Sequence, residues 1–259
     1  MTVEANDPPH STGASVDRRG RSRGIWLFLR DTVIIVLCAV IISMAIKTFL
    51  VRSFYIPTGS MKDTLQVDDR ILVNQLVPGL IPISRGDVVV FQDPGGWLAH
   101  QQLPQQTGFV AWVDWLLTQI GLSAADSNDH LIKRVIGLPG DTVVCCNQFG
   151  LLTVNGVSID ETYLRLPAGV SKASGIEFSV TVPEGSLWVL GDNRYDSADS
   201  RLNRDKPGKG FVPIDNVVGR AFVVSWPISH WGWLDNFPTV FAGVPEPTVP
   251  ASVGTEKAP

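Results

Sequence analysis

Leu152-Thr153-Val154-Asn155-Gly156-Val157-Ser158-Ile159 decides the fold class. Asn-Gly between two alternating apolar and polar segments is the strongest short-range hairpin signal, because the favoured two-residue turn needs φ > 0 at both central positions. Outward from this hairpin the same pattern repeats as β-branched runs cut by turn residues. These are Arg70 to Leu76, Asp87 to Phe91, Leu131 to Gly137, Thr142 to Cys145, Ile176 to Val182, Ser186 to Leu190 and Val217 to Ser225. Strands this short and closely spaced predict a mostly β, antiparallel domain. Residues 92–129 break the rhythm with a Pro/Gly/Gln-rich lead-in and then Gly108 to Leu122, which is helical in length and holds Trp112, Trp115, Leu116, Leu117 and Ile120. This reads as an insertion with an amphipathic helix that caps the β core or meets a membrane surface. Trp226, Trp231 and Trp233 invite the same two readings, and packing as core or cover is the expectation.

Ahead of the β region, Thr32 to Val51 is apolar except for Lys47 and a few small polar residues. Twenty residues at 1.5 Å each reach roughly 30 Å, enough to cross the hydrocarbon core of a bilayer. Lys47, about one turn from the end, can snorkel. A cleaved leader has an apolar stretch of roughly 7–15 residues followed by a small-x-small site. Ile46 to Ile56 offers no such site, so the segment reads as an uncleaved transmembrane helix. Arg18, Arg19, Arg21, Arg23 and Arg30 precede it, against Lys47 and Arg52 near its other end, which keeps the amino terminus cytoplasmic by the positive-inside rule. The expected organisation is a basic disordered cytoplasmic arm (1–31), the helix (32–51), an extracytoplasmic β domain (52–243, with the 92–129 insertion) and a disordered Pro-rich tail (244–259).

Composition agrees with a membrane-tethered chain. Its 259 residues carry 21 basic and 25 acidic side chains, a formal charge of −4, and only 18% charged residues, against about 25% in soluble proteins. A net negative charge disfavours a polyanion-binding role, so nucleic acid is not an expected partner. Cys38, Cys145 and Cys146 are too few for a disulfide framework, and ordinary disulfide geometry is hard to reach between adjacent residues. The histidines His10, His100, His130 and His230 have no ligand spacing. An EF-hand counted from Asp192 finds Ser197 and Asn203 where Gly and Glu belong. No metal or other cofactor is expected.

Two segments can carry chemistry. In Phe54-Tyr55-Ile56-Pro57-Thr58-Gly59-Ser60-Met61, the Pro-Thr-Gly sequence turns the chain so that Ser60 emerges from a tight bend that glycine permits. In Leu131-Ile132-Lys133-Arg134-Val135-Ile136-Gly137, period-two alternation puts Lys133 on one face with Leu131 and Val135 and gives it apolar neighbours. Burial lowers a lysine's pKa, which a general base near neutral pH requires. At its unperturbed value only on the order of one molecule in a thousand is neutral. Taken singly, Ser60 is an ordinary turn serine and Lys133 a solvated strand lysine.

In combination they say more. Ile-Pro-Thr-Gly-Ser-Met just after an apolar helix, Arg85-Gly86-Asp87-Val88-Val89-Val90-Phe91, Ile132-Lys133-Arg134-Val135-Ile136-Gly137-Leu138-Pro139-Gly140-Asp141, and Gly191-Asp192-Asn193-Arg194 with Asp196-Ser197-Ala198-Asp199-Ser200-Arg201 follow one another in order. This set resembles the boxes of bacterial type I signal peptidases, over the helix and most of residues 52–225. The resemblance implies a plasma-membrane serine endopeptidase, acting on secretory pre-proteins and in contact with the lipid bilayer. Ser60 is then the nucleophile and Lys133 the general base, a Ser-Lys variant of triad logic that needs no histidine. Ser60 N–H and the Thr58 hydroxyl, where the family more often has Ser, form the oxyanion hole. Ser197 orients the lysine, Asp199 and Arg201 stiffen the site, and Ile56, Met61, Leu65 and Ile132 line the substrate pockets. The implied substrate carries small residues at the first and third positions before the scissile bond and binds as an added β-strand.

Two departures stand out. Asp63 occupies a position where the family usually has Pro, and Tyr195 one that is commonly acidic or amide. Asp63 is expected to alter the backbone after Ser60 and to raise the lysine's pKa by its charge. Two rivals remain, a related protease with one dedicated substrate and a silent peptide-binding domain.

Overall fold

The computed structural model describes residues 18–98 and 129–247. The chain divides after Ala45 into two compact units. The first is most of a single helix, α1 (Arg18–Phe49), whose stretch Trp26–Met44 is long and apolar enough to cross a membrane. Its side chains there are exposed. The helix starts earlier than the expected boundary at residue 32, so residues 18–31 are helical and not a disordered arm. The cause is local. Arg30 and Asp31 pair side by side on the surface at 2.9 Å and do not interrupt the helix, while Trp26, Leu27, Phe28 and Leu29 extend its apolar run. The expected end at Val51 also shifts, because Val51 already opens strand β1 (Val51–Tyr55).

The second unit is antiparallel β throughout its described pairings. The larger sheet has eight strands: β1, β2 (Arg70–Asn74), β3 (Val88–Gln92), β4 (His130–Gly137), β9 (Ser186–Leu190), β10 (Val212–Pro213), β11 (Val217–Trp226) and β12 (Gly232–Trp233). Its order is β1-β2-β11-β3-β4-β9-β10, with β12 added on β11. The smaller sheet runs β7-β6-β5-β8, from β5 (Thr142–Cys145), β6 (Leu152–Val154), β7 (Val157–Ile159) and β8 (Phe178–Thr181). The hairpin of β6 and β7 turns through Asn155 and Gly156 at φ 52° and 80°, the left-handed conformations its sequence predicts.

Both faces of the large sheet are covered. Val88, Val90 and Ile132 join Phe54, Ile56, Met61 and Leu65 in one apolar cluster, while Val89, Phe91, Leu131 and Val135 join Trp97 and Val189 in another. A third cluster fills the small sheet around Trp188 and Phe178. Lys133 is paired in register with Val89 at the middle of this doubly covered sheet.

Two expectations are corrected. Trp226, Trp231 and Trp233 are not core or cover: they are 54%, 59% and 71% exposed, Trp226 at the end of β11 and the other two at the short β12, which lies outside the main strand path. The tail does not begin at residue 244, since Val244 is buried against the small-sheet cluster and Pro245 O accepts hydrogen bonds from Arg85 (3.1 Å) and Asn155 (3.2 Å). Cys145 and Cys146, whose redox state the sequence leaves open, form a disulfide. The helix expected at Gly108 to Leu122 lies outside the described residues.

Candidate active site

Ser60 sits in the turn that follows β1. Lys62 N–H bonds Gly59 O at 3.0 Å and Leu65 N–H bonds Met61 O at 2.8 Å, which curls the loop. Asn193 pins it from the other side, donating its side-chain amide to Gly59 O (3.0 Å) and its backbone N–H to Ser60 O (3.1 Å). Thr64 Oγ1 donates to Asp192 at 2.6 Å and ties the loop's far end to the same segment. Gly59 is not in the left-handed region, contrary to the expectation of a glycine-dependent bend, and a Cβ there would meet nothing within 4 Å.

Lys133 Nζ donates to Ser60 Oγ at 2.6 Å and to Ile132 O at 2.9 Å. The lysine is 3% exposed and the serine 8%. Burial pushes the lysine's pKa from its ordinary 10.5 down to about 8, with Asp199 and Asp192 pulling it up and Arg201 pushing it down. At pH 7 a value of 8 leaves about a tenth of the molecules with a neutral amine. The carboxylates acting on Lys133 are therefore Asp199 and Asp192, and the charge expected from Asp63 is not among them. Asp63 is exposed and adopts φ 82°, a conformation closed to proline, whose ring holds φ near −65°.

The surrounding charges are compensated. Asp199 and Arg201, both buried, pair at 2.6 Å, and Asp199 also accepts the Gly191 N–H at 3.0 Å. Arg201 reaches Ser174 Oγ (2.9 Å) and Arg194 O (2.8 Å). Arg134, next to Lys133 on β4, forks onto Asp192 at 2.9 and 2.7 Å and stacks over the Tyr163 ring at 4.2 Å. Arg194 pairs with Glu161 in the same buried layer. Ser197 does not make the hydrogen bond to the lysine that its assigned role requires: its hydroxyl is buried without a partner among the described residues, beside Gly191, where a Cβ would overlap both Ser197 Oγ and Ser60 O.

A cleft of about 600 Å³ opens over the pair, lined by Thr58, Gly59, Ser60 and Lys133 together with Ile56 and Ile132. Met61 and Leu65 do not line it. They are fully buried in the cluster beneath the loop and act as its floor. Phe54, Trp97, Leu98, His130 and Leu131 line it as well, and sequence reasoning missed them. The only advance sign was that His130 shares the strand face of Ile132 by period two. Tyr195 turns outward from the site and donates to Lys172 O at 2.9 Å.

A buried amine stands against a serine hydroxyl at the edge of this cleft, and the comparison with known families assigns the chain to the serine peptidases. Residues 29–226 match the model of signal peptidase, peptidase S26. The chain belongs to that family and is a serine endopeptidase. Signal peptidase I of Mycobacterium tuberculosis (strain ATCC 25618 / H37Rv) is 40% identical over 221 residues, covering 79% of this chain and 74% of that one. The probable signal peptidase I of Mycobacterium leprae is 35% identical over 256 residues, 90% and 86% of the two chains. A crystal structure of a signal peptidase I from Enterococcus faecalis V583 is 28% identical, with a TM-score of 0.34, over 53% of this chain and 95% of that one.

Proposed function

We propose that the chain is a membrane-anchored signal peptidase that removes leaders from secretory pre-proteins after a small-x-small motif, with Ser60 as nucleophile and Lys133 as general base. The observation that carries this reading is the 2.6 Å contact between Lys133 Nζ and Ser60 Oγ, made by a lysine whose burial lowers its pKa to about 8. The neutral amine takes the Ser60 proton as Oγ attacks the scissile carbonyl. The oxyanion is met by Ser60 N–H and the Thr58 hydroxyl, worth about 3 kcal/mol per donor. The lysine then hands its proton to the leaving amine, and the new amino terminus departs. Water, deprotonated by the same lysine, attacks the acyl ester; the bond to Ser60 breaks, and the lysine hands that proton to Ser60 Oγ.

For the protein's site in the cell, α1 supplies a span, and the exposed indoles of the β unit supply a surface that suits a bilayer interface. Leu50 and Val51, where the helix hands over to β1, line one groove with Phe222 and Trp233. The Arg-rich start of α1 supports a cytoplasmic amino terminus, with the β unit on the outer side.

The test is cleavage of a pre-protein with an Ala-x-Ala leader by the full-length chain in detergent, beside Ser60→Ala. Cutting directly after the second Ala, abolished in the variant, is the expected result, with kcat/KM rising with pH about a midpoint near 8. Failure of the folded wild type on several unrelated leaders would replace this reading with a protease dedicated to one substrate.

A further inference from the structure

A disulfide ordinarily stabilises a fold by closing a loop of chain and so restricting the unfolded state, and the effect grows with the loop. Cys145 and Cys146 are adjacent and enclose no loop. Their bond is a poor staple, and its surroundings give it another use. Cys145, at the end of β5, packs with Ala173, Phe178 and Trp188 in the small-sheet cluster, and the half-buried Cys146 lies at its margin. The Cys145 sulfur stands 4.0 Å from Ser174 O. In a disulfide that sulfur has no hydrogen to give, whereas as a thiol it is a weak donor facing a buried carbonyl.

Ala173 and Ser174 join the cysteines to the active site. On one side, Ala173 N–H donates at 2.7 Å to Gly150 O, in the loop that leads from the disulfide to β6. On the other, Ser174 Oγ accepts from Arg201 Nη1 at 2.9 Å and Ala173 O accepts from Arg194 Nη1 at 3.4 Å. The Ser174 hydroxyl is fixed further by donating to Ile176 O (2.8 Å) and accepting the Ile176 N–H (3.0 Å). Arg201 pairs with Asp199, and the two act on Lys133 in opposite senses, Asp199 raising its pKa and Arg201 lowering it. Movement at the sulfurs therefore reaches the general base through one short segment.

We propose that the disulfide of Cys145 and Cys146 is a redox site, open to thiol–disulfide exchange with a dithiol, whose reduction slows the peptidase. A thiolate of the dithiol attacks Sγ of Cys146, the less buried of the two; the S–S bond breaks, and Cys145 leaves as a thiolate and takes a proton. The second thiol of the reductant then attacks the mixed disulfide, releasing Cys146 as a thiol and leaving the reductant as its own disulfide. Two electrons and two protons pass to the protein. The freed sulfurs separate to ordinary contact distance, which in a close-packed cluster displaces their neighbours Ala173 and Ser174. Arg201 follows Ser174 and loosens its hold on Asp199, whose less compensated carboxylate then raises the Lys133 pKa. Asp192, the other carboxylate acting on Lys133, is held by Arg134 and Thr64 and keeps its place. The inference rests on the proposed reading of Lys133 as general base.

The test compares the full-length chain in detergent, air-oxidised or reduced with dithiothreitol, on a leader peptide ending Ala-x-Ala. Thiols are counted by iodoacetamide labelling after unfolding. The oxidised chain should label once, at the free Cys38, and the reduced chain also at Cys145 and Cys146. Reduction should lower kcat/KM at pH 7 by about 5-fold or more and move the midpoint of its pH profile above 8. The thermal midpoint should move by no more than about 4 °C, and reoxidation should restore the rate. Cys146→Ala should be fixed at the slow rate and indifferent to dithiothreitol. Ser174→Ala, which cuts the link to Arg201 and keeps the disulfide, should make the two states alike. Equal rates and pH midpoints with all the thiols labelled, or a rate lost only in step with the thermal midpoint, would overturn the switch and leave the peptidase reading intact. Labelling of Cys145 and Cys146 before reduction would do the same. No cutting in either state would bring down both.

Discussion

Lys133 and Arg134 are neighbours on one strand, both buried, and they meet opposite treatment. Arg134 is given a two-pronged carboxylate, a carbonyl from Gly86 at 2.7 Å and an aromatic face, and its pKa rises although burial alone would lower it. Lys133 is given a hydroxyl and a carbonyl, and its pKa falls. Desolvation acts on both, so the difference is the direct carboxylate contact. A buried cation with such a contact becomes a permanent brace, whereas one with only neutral partners becomes a base near neutral pH.

The strongest test of that contrast exchanges the cations. Lys133→Arg cannot lose its proton and should cost on the order of 10⁴-fold or more in kcat/KM. Lys133→Met should be equally inactive but more stable at pH 7 by about 3 kcal/mol, the free energy of a drop from 10.5 to about 8. The sign follows from linkage. The folded lysine holds its proton less tightly than the unfolded one, so wild-type stability is lowest below pH 8 and rises as the pH climbs from 8 to 10.5. The advantage of the Met variant should shrink over that window in denaturant titrations. A Met variant no more stable at pH 7 would mean that the lysine carries no burial penalty.

Next in size, Asp192→Asn strips the brace of its partner and should cost about 3–5 kcal/mol, because a charged guanidinium stays buried. It also removes a charge that raises the Lys133 pKa, so the acid limb of the folded fraction should move below 8. Arg134→Met combined with Asp192→Leu should recover much of the lost stability in urea titrations, while Asp192→Asn alone should not.

Gly191→Ala probes the spacing between the two regions. The new Cβ overlaps Ser60 O and Ser197 Oγ, and a displacement of the nucleophile by about 1 Å is worth roughly 10²-fold in rate. Ser197→Ala in the same chain should relieve one overlap and restore part of kcat/KM. Full restoration would show that the Ser60 carbonyl is not pressed.

The smallest effect belongs to Asp63. At φ 82°, Asp63→Gly should be neutral or stabilising by up to about 1 kcal/mol, and Asp63→Pro should destabilise by more than that. Thermal midpoints of the two variants should therefore move in opposite directions.

Local pattern made much of this legible in advance. The Asn155-Gly156 hairpin and the runs at Thr142 to Cys145 and Ser186 to Leu190 stand where alternation puts them, since strand periodicity is a property of a few consecutive residues. β1 escaped because Val51 continues an apolar run and its polarity pattern is too short to mark a boundary. In the site, the motifs singled out Ser60 and Lys133, and the fold brings the two into contact. The roles of Met61 and Leu65 as floor, the unbonded hydroxyl of Ser197 and the walls at Trp97 and His130 were not. Each depends on contacts between distant segments that no local period encodes.

The place of β11 in the large sheet has a consequence in time. β2 and β3 follow each other in sequence but are held apart by β11, which starts at Val217. Ala221 and Val224 belong to the cluster beneath Ser60, while Arg134 bonds Asp235 O and Arg85 bonds Pro245 O. From Ser60 to Pro245 is 185 positions, which at roughly 5–20 residues per second takes about 10–40 s to synthesise. For that interval the sheet stands open at its middle. Ser60 and Lys133 are both synthesised before the strand that completes the sheet around them, so their 2.6 Å contact is a product of the finished β unit and not of the emerging chain.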